Sequence, residues 1–189
     1  MKSVLIAICP QWVEKIASGQ KTIEVRKTAP QEVPFKCYIY MTQGKLKDLG
    51  IYSEWVYKNR MKVIGEFICD KVDKIMTLQH TYYNFLGVPL ARITEYGIWN
   101  DDLPQMCLTK KEIEEYGKGK TLYGWHISDL KIYEKPRELS EFSRPCSYRG
   151  LCFSCKRTSF KKDGNLLCNT KITRPPLSWC YVEDLGEEE

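Results

Sequence analysis

The chain has 189 residues and a formal net charge of +5, with 43 % hydrophobic and 28 % charged residues. These values are ordinary for a globular protein. A chain of this length buries roughly 70 % of its unfolded surface, so it does not need disulfides to be stable. The positive charge permits a polyanionic partner without requiring one.

The N-terminal run SVLIAIC is too short to span a membrane, and no small-residue cleavage site follows it. We therefore expect a cytoplasmic protein with no membrane partner. Nine cysteines in that compartment indicate free thiols or metal ligands rather than disulfides.

The first elements are a strand at 3–9 and a short helix at 10–18. Pro10 suits the first helical turn, and Gly19 suits the position just past the helix end. The stretch GQKTIEVRK, 19–27, then predicts a second strand.

This second strand has one charged face. Side chains alternate across a strand, so Thr22, Glu24 and Arg26 share a face, and Ile23 and Val25 share the other. A carboxylate and a guanidinium two residues apart on one face raise the question of what that face contacts.

Further along the chain, short strands dominate. The patterns predict strands at 35–41, 61–75, 122–134 and 177–183, a helix at 108–119 with Thr109 as N-cap, and helix fragments and loops over 76–107. We find no βαβ alternation. The fold class expected is therefore α+β, with a small, mainly antiparallel barrel and flanking helices.

A cysteine-rich segment interrupts the strand pattern near the C-terminus. Its ligand candidates are Cys146, Cys152, Cys155 and Cys168, spaced C-x5-C-x2-C-x12-C. Four thiolates form a closed, tetrahedral structural zinc site, so zinc is the cofactor expected. Unrelated reduced thiols and an iron–sulfur cluster are the alternatives.

The same segment holds most of the positive charge. From 144 to 174 there are eight Lys or Arg residues and one Asp, a formal charge of +7, so the rest of the chain is slightly acidic. Such a concentration suits phosphate contacts, although a solvated loop is the usual meaning of a charge run.

Three stretches resemble the ASCH domain family, whose fold is a PUA-like β-barrel: SGQKTIEVRK after a short helix, GEFICD, and YGWHISD with RPPLSWCYV. The resemblance implies one domain over 1–184, interrupted by the basic insert 144–172 and followed by an acidic tail, 185–189.

The resemblance also implies a cleft beside the charged strand. Its ligand-binding residues would be Lys21, Thr22, Glu24, Arg26, Trp125, His126, Ser178 and Trp179. Carboxylates and guanidinium groups can read a base edge or hold a phosphate, and the tryptophans can stack on an unpaired base. The alternatives are a plain Glu24–Arg26 ion pair and tryptophans that fill the core.

The function these features favour is binding of RNA or a modified nucleotide. An amidohydrolase acting on an acetylated cytidine is the first alternative, because small family members use a Lys and a Thr of this strand. Lys21, Thr22 and Glu24 would then be catalytic, although Glu24 occupies the position of that Thr. A protein-interaction module and a thiol enzyme built on Cys180 and His126 are weaker alternatives.

Overall fold

A computed structural model describes residues 1–44, 52–75, 77–83, 86, 89–96, 102–145, 158–160, 166–168 and 171–186. These residues form a mixed α+β fold whose strand pairs are mainly antiparallel, which confirms the predicted fold class. The closure of the sheets into a barrel, the predicted domain and insert boundaries, and the cytoplasmic location stay predictions.

The strands are β1 (Lys2–Ile8), β2 (Ile23–Arg26), β3 (Phe35–Met41), β4 (Val63–Cys69), β5 (Val72–Ile75), β6 (Thr77–Tyr83), β7 (Pro89–Tyr96), β8 (Leu122–His126), β9 (Ser128–Arg137), β10 (Thr158–Phe160), β11 (Leu166–Cys168) and β12 (Trp179–Val182). The helices are α1 (Pro10–Ala17), α2 (Glu54–Asn59), α3 (Asp102–Met106) and α4 (Lys110–Gly117). In the part of the chain described, no helix has the length and apolar character needed to cross a membrane.

The chain divides into two compact units. The first comprises Met1–Val13, Phe35–Phe67 and Leu130–Glu189, and the second comprises Glu14–Pro34 and Ile68–Asp129.

The first unit is organised by a five-stranded sheet in the order β12-β1-β3-β4-β9. Strand β1 is parallel to β3 and antiparallel to β12, with Ser3 opposite Val182. One apolar cluster of this unit is built from buried residues of several strands and from the segments that precede β12: Leu5, Ala7, Tyr38, Tyr40, Val63, Phe142, Ile172 and Val182.

The second unit contains a three-stranded antiparallel sheet in the order β2-β8-β5 and a separate β6–β7 hairpin. Its apolar cluster combines this sheet with α3 and α4 through Ile23, Val25, Ile75, Met106, Ile113 and Leu122. Ile23 and Val25, which alternation places on one face of β2, therefore lie in the core as predicted.

Local signals define both predicted helices. Gly19 has a φ of +75° and donates its N–H to the Ile16 carbonyl, which ends α1. In α4, the Thr109 hydroxyl accepts from the Glu112 N–H while the Glu112 carboxylate accepts from the Thr109 N–H. This reciprocal capping box confirms the predicted start of the helix.

Three predicted elements are wrong. The predicted strand at 122–134 is two strands in different sheets, β8 and β9, and Asp129 near the break has a φ of +47°. The predicted strand at 61–75 is two strands in different sheets, β4 and β5, and Asp70 and Lys71 between them belong to neither. Residues 77–83 and 89–96, predicted as helix fragments and loops, form the antiparallel pair β6–β7, and only α3 within 76–107 is helical among the residues described.

Gly65 allows β4 and β9 to pack closely. A Cβ added at this position would lie 2.4 Å from the Lys131 carbonyl oxygen on β9. Only a residue without a side chain lets the two backbones approach so closely.

Candidate functional site

The charged face of β2 is turned into the protein. All four residues of the strand are buried, including Glu24 and Arg26. Lys21, two residues before the strand, is 2 % exposed, Glu24 is 5 % exposed and Arg26 is 9 % exposed. Charged side chains are rarely buried unless they are paired, so their partners decide what this face does.

The three side chains form one ion-pair network, which we call the charged trio. The Glu24 carboxylate lies between two cations, with Oε2 3.4 Å from Lys21 Nζ and Oε1 3.0 Å from Arg26 Nη2. The predicted Glu24–Arg26 contact therefore exists, but it runs along one strand and includes Lys21 as a third member.

Helix α3 supplies a neutral partner to the trio. Lys21 Nζ donates to the Met106 carbonyl oxygen at 2.5 Å. Met106 is the last residue of α3, where carbonyl groups lack an intrahelical partner and a cation is favourable. The buried ammonium is thus held by a carboxylate on one side and a helix end on the other.

Thr22 also contacts α3. Its backbone N–H donates to the Gln105 carbonyl oxygen at 3.0 Å, and its hydroxyl donates to Gln105 Oε1 at 3.3 Å. The hydroxyl proposed as a nucleophile is therefore used to attach the start of β2 to α3.

Tyr116 on α4 extends the trio toward the surface, and sequence reasoning did not identify it. Arg26 hydrogen-bonds its hydroxyl, and Lys27 Nζ lies 4.8 Å from the ring centroid. Burial raises the pKa of Tyr116, although the Arg26 charge opposes that rise. The ring remains 37 % exposed. Ninety residues separate Tyr116 from Arg26 in sequence, and no local pattern links them.

Trp125 and His126 lie next to each other on β8 but in different surroundings. Trp125 is fully buried, which agrees with the alternative that this tryptophan fills the core. A base could stack on its ring only after the surrounding side chains had moved. The His126 Nε2 atom lies 2.5 Å from Asp73 Oδ2 on β5, and Lys71 Nζ lies 3.0 Å from the same oxygen. Partial burial favours protonated Asp73, but hydrogen bonds from His126 and Lys71 keep its pKa below the usual value.

Ser178 and Trp179 belong to the first unit. Ser178 accepts a hydrogen bond from the Ala7 N–H at 2.9 Å through its carbonyl oxygen, which prolongs the β1–β12 pairing. Trp179 is partly exposed, and its ring packs edge-to-face on Tyr181 with centroids 5.3 Å apart. The residues that the structure brings together are thus Lys21, Glu24 and Arg26.

The predicted zinc ligands fall outside this description. Cys146, Cys152 and Cys155 lie outside the described residues, and only the backbone of Cys168 is described, on β11. The described part of the chain contains no cluster of three or more His, Cys, Asp or Glu side chains able to hold a metal ion. The zinc site stays a prediction.

Known proteins resemble this chain at the level of structure. The sequence matches no protein-family model and no curated protein. The ASCH protein of Zymomonas mobilis superposes with a TM-score of 0.54 at 16 % identity, over 96 % of this chain and 88 % of that one. A serine-to-alanine variant of that protein superposes with a TM-score of 0.52 at 15 % identity, over 96 % of this chain and 89 % of that one. At such identities the likeness concerns the fold alone, and this chain has the fold of the ASCH proteins.

Proposed function

We propose that the chain is a binding module for RNA or a modified nucleotide, and that the charged trio with Tyr116 recognises the ligand. The observation that carries the proposal is the burial of three charged side chains, Glu24 and Arg26 on β2 and Lys21 just before it, connected through Arg26 to a partly exposed phenol. A plain surface strand would leave such groups in water.

The chemistry of the trio suits a nucleobase or a phosphate. A carboxylate such as Glu24 accepts from an exocyclic amine, and a guanidinium or ammonium group donates to a base carbonyl or a phosphate oxygen. Tyr116 adds an aromatic face beside a cation, Lys27. The fold of the ASCH proteins and the basic 144–174 segment support a ligand of this class.

The proposal is tested by ligand selectivity in the intact chain. Isothermal titration with the four nucleoside 5′-monophosphates and with acetylcytidine compares the wild type with Glu24→Gln, which keeps the side-chain shape but replaces an acceptor oxygen by a donor. In Glu24→Gln, we expect the difference in binding free energy between the preferred ligand and the other ligands to fall by about 1–3 kcal/mol. Glu115→Gln on exposed α4 is the matched control.

Removing a whole member of a buried network can unfold the protein, so milder changes are also needed. Tyr116→Phe keeps the ring and removes only the hydroxyl that Arg26 contacts. If the Glu24→Gln and Tyr116→Phe variants fold and bind every ligand like the wild type, the trio does not recognise the ligand. It would then be an ion-pair network that only stabilises the fold.

Hydrolysis of an acetylated cytidine is the second candidate, and the Lys21–Glu24 pair favours it. The Glu24 carboxylate, 3.4 Å from the Lys21 ammonium, can accept a proton from the water that attacks the acetyl carbonyl. As the carbon–nitrogen bond breaks, the ammonium can donate a proton to the departing cytidine amine, so that cytidine and acetic acid are released. Release of cytidine from acetylcytidine, followed by chromatography and lost in Glu24→Gln, would establish this activity. Absence of turnover with retained binding would favour the recognition module.

A further inference from the structure

A second polar cluster lies in the first unit, around the hydroxyl of Tyr38 on β3. This hydroxyl donates to the Asp184 carboxylate and accepts the Leu185 N–H at 3.1 Å. Lys36 Nζ lies 3.2 Å from the same carboxylate. The segment that follows β12 is therefore held on β3 through one acidic side chain.

The contacts of Asp184 favour its ionised form. Partial burial raises the pKa of Asp184, but hydrogen bonds from Tyr38 and Lys36 keep the pKa below its usual value. The Lys36 side chain is only 12 % exposed, so water screens its charge poorly. A hydroxyl and a shielded ammonium that converge on one carboxylate also form the kind of charge-assisted contact by which proteins bind a ligand carboxylate.

A buried hydroxyl on the same face of the sheet adds a donor that Asp184 does not use. Ser3 on β1 is opposite Lys36 on β3 and Val182 on β12, and side chains of such partners project from one face. Ser3 is 4 % exposed, and its Oγ has no hydrogen-bond partner among the residues described. A buried hydroxyl in this state is costly, so a ligand oxygen that reached it would be favoured.

Neighbouring acids limit the charge that such a ligand can carry. Glu66 lies close enough to Tyr38 to contribute to the raised pKa of that phenol, whose main cause is burial, and Glu66 accepts from the Tyr133 hydroxyl at 2.5 Å. Glu183 is exposed, and 187–189 are three further glutamates in the sequence. Lys36 supplies one positive charge against these acids, so a monoanion fits the cluster better than a phosphate dianion.

We propose that Ser3, Lys36 and Tyr38 form a binding site for a small monocarboxylate, and that Asp184 occupies this site as an intramolecular ligand. The Asp184 side chain is 40 % exposed and lies beyond the end of β12. Its release would therefore leave the pairing of β12 with β1 intact. The site is autoinhibited, because a free carboxylate can bind only where the Asp184 carboxylate has left.

The test is chemical rescue in the full-length chain. Asp184→Ala removes the carboxylate and leaves a space of the size of formate. We expect this variant to lower the melting temperature by about 2–6 °C, because charge-assisted hydrogen bonds are lost. Sodium formate should restore at least half of the loss with a saturating dependence on concentration, as binding to the folded state requires. If the variant is unfolded in buffer, formate should refold it, which circular dichroism measures.

The wild type is the first control, because its site is filled. Formate should stabilise it no more than sodium chloride does at the same ionic strength. Glu134→Ala, which removes an exposed carboxylate of β9 in the same unit, should behave like the wild type.

Ser3→Ala separates ligand binding from packing. In the wild type this change should leave the melting temperature unchanged or raise it, because it removes a buried hydroxyl whose hydrogen bond is unmade in the part of the chain described. In the Asp184→Ala background it should weaken the effect of formate about 10-fold in concentration. Lys36→Met in that background keeps the volume of the stem and should abolish the effect.

Three results would each overturn the inference. Formate may stabilise the wild type as much as Asp184→Ala, which would place its action elsewhere. Phosphate at the same ionic strength may restore Asp184→Ala as well as formate does, which would indicate a general effect of salt. Asp184→Ala with Lys36→Met may keep the full response to formate, which would exclude the assigned cation.

Discussion

Lys21 Nζ lies 2.5 Å from the carbonyl oxygen of Met106, 85 residues away, and also contacts the Glu24 carboxylate. One buried ammonium therefore joins the start of β2 to the end of α3. Its removal would leave a helix end without its cationic partner and would leave Glu24 with one cation fewer.

We expect Lys21→Met to lower the free energy of unfolding by about 3–5 kcal/mol, because breaking a buried pair leaves the other charge poorly compensated. Methionine fills the volume of the stem, so lost packing contributes little. Urea denaturation measures the change. Lys111→Met, at an exposed position of α4, is the control and should stay within about 0.5 kcal/mol of wild type.

Thr109→Ala tests the capping box of α4. Thr109 is exposed, so the substitution removes almost no buried surface, yet it should cost about 1 kcal/mol because the Glu112 N–H loses its partner. Thermal unfolding followed by circular dichroism measures the loss, and Thr173→Ala, also exposed, is the matched control. Equal melting temperatures for the two variants would contradict the assigned role of the cap.

The Asp73 contacts predict a pH dependence of stability. The folded-state pKa of Asp73 is lowered, so its contribution is present above the unfolded pKa of about 3.9 and is lost as pH falls through the folded pKa. Because the side chain is partly exposed, the contribution is about 1 kcal/mol or less. The free energies of unfolding of wild type and Asp73→Asn, measured by urea denaturation, should differ at neutral pH and converge as the pH falls below the folded-state pKa of Asp73.

Asp70→Asn, three residues earlier and exposed, should show no such convergence. A constant difference between wild type and Asp73→Asn across this pH range would mean that Asp73 acts through packing rather than through its charge.

The predicted zinc site gives a further test. We expect about one zinc ion per chain by elemental analysis, from four-thiolate chemistry. Cys152→Ser and Cys155→Ser should each lose the metal, and Cys9→Ser, a free and exposed thiol, should keep it. Retention of zinc in both insert variants would contradict the predicted ligand set.

Local sequence patterns predicted the elements whose signals are local. Strand β3 was predicted with its observed bounds, and α4 with its cap, since alternation and the Thr109–Glu112 spacing are readable within a few residues. The β6–β7 pair was missed because Asn84, Gly87 and Pro89 are residues typical of turns. Their presence led the whole region to be predicted as loops. The break after β4 was missed because a single Asp, without Gly or Pro beside it, was not taken as a turn signal between two apolar runs.

The site was predictable only in part, for the same reason. Alternation placed Glu24 and Arg26 on one face, and the ASCH resemblance added Lys21. The partners Met106 and Tyr116 come from α3 and α4, 80 to 90 residues later in the chain, and only tertiary packing brings them to β2. A charged strand face thus reveals that partners exist without revealing which they are.

The pairing of β1 with β12 has a consequence for synthesis on the ribosome. Strand β1 is synthesised well before β12, and Ser3 can pair with Val182 only after β12 has left the exit tunnel. Pairing across such a sequence separation is slow, and an unpaired strand edge can recruit other chains while it waits. Premature termination before Trp179 should therefore yield nascent chains that aggregate or engage chaperones.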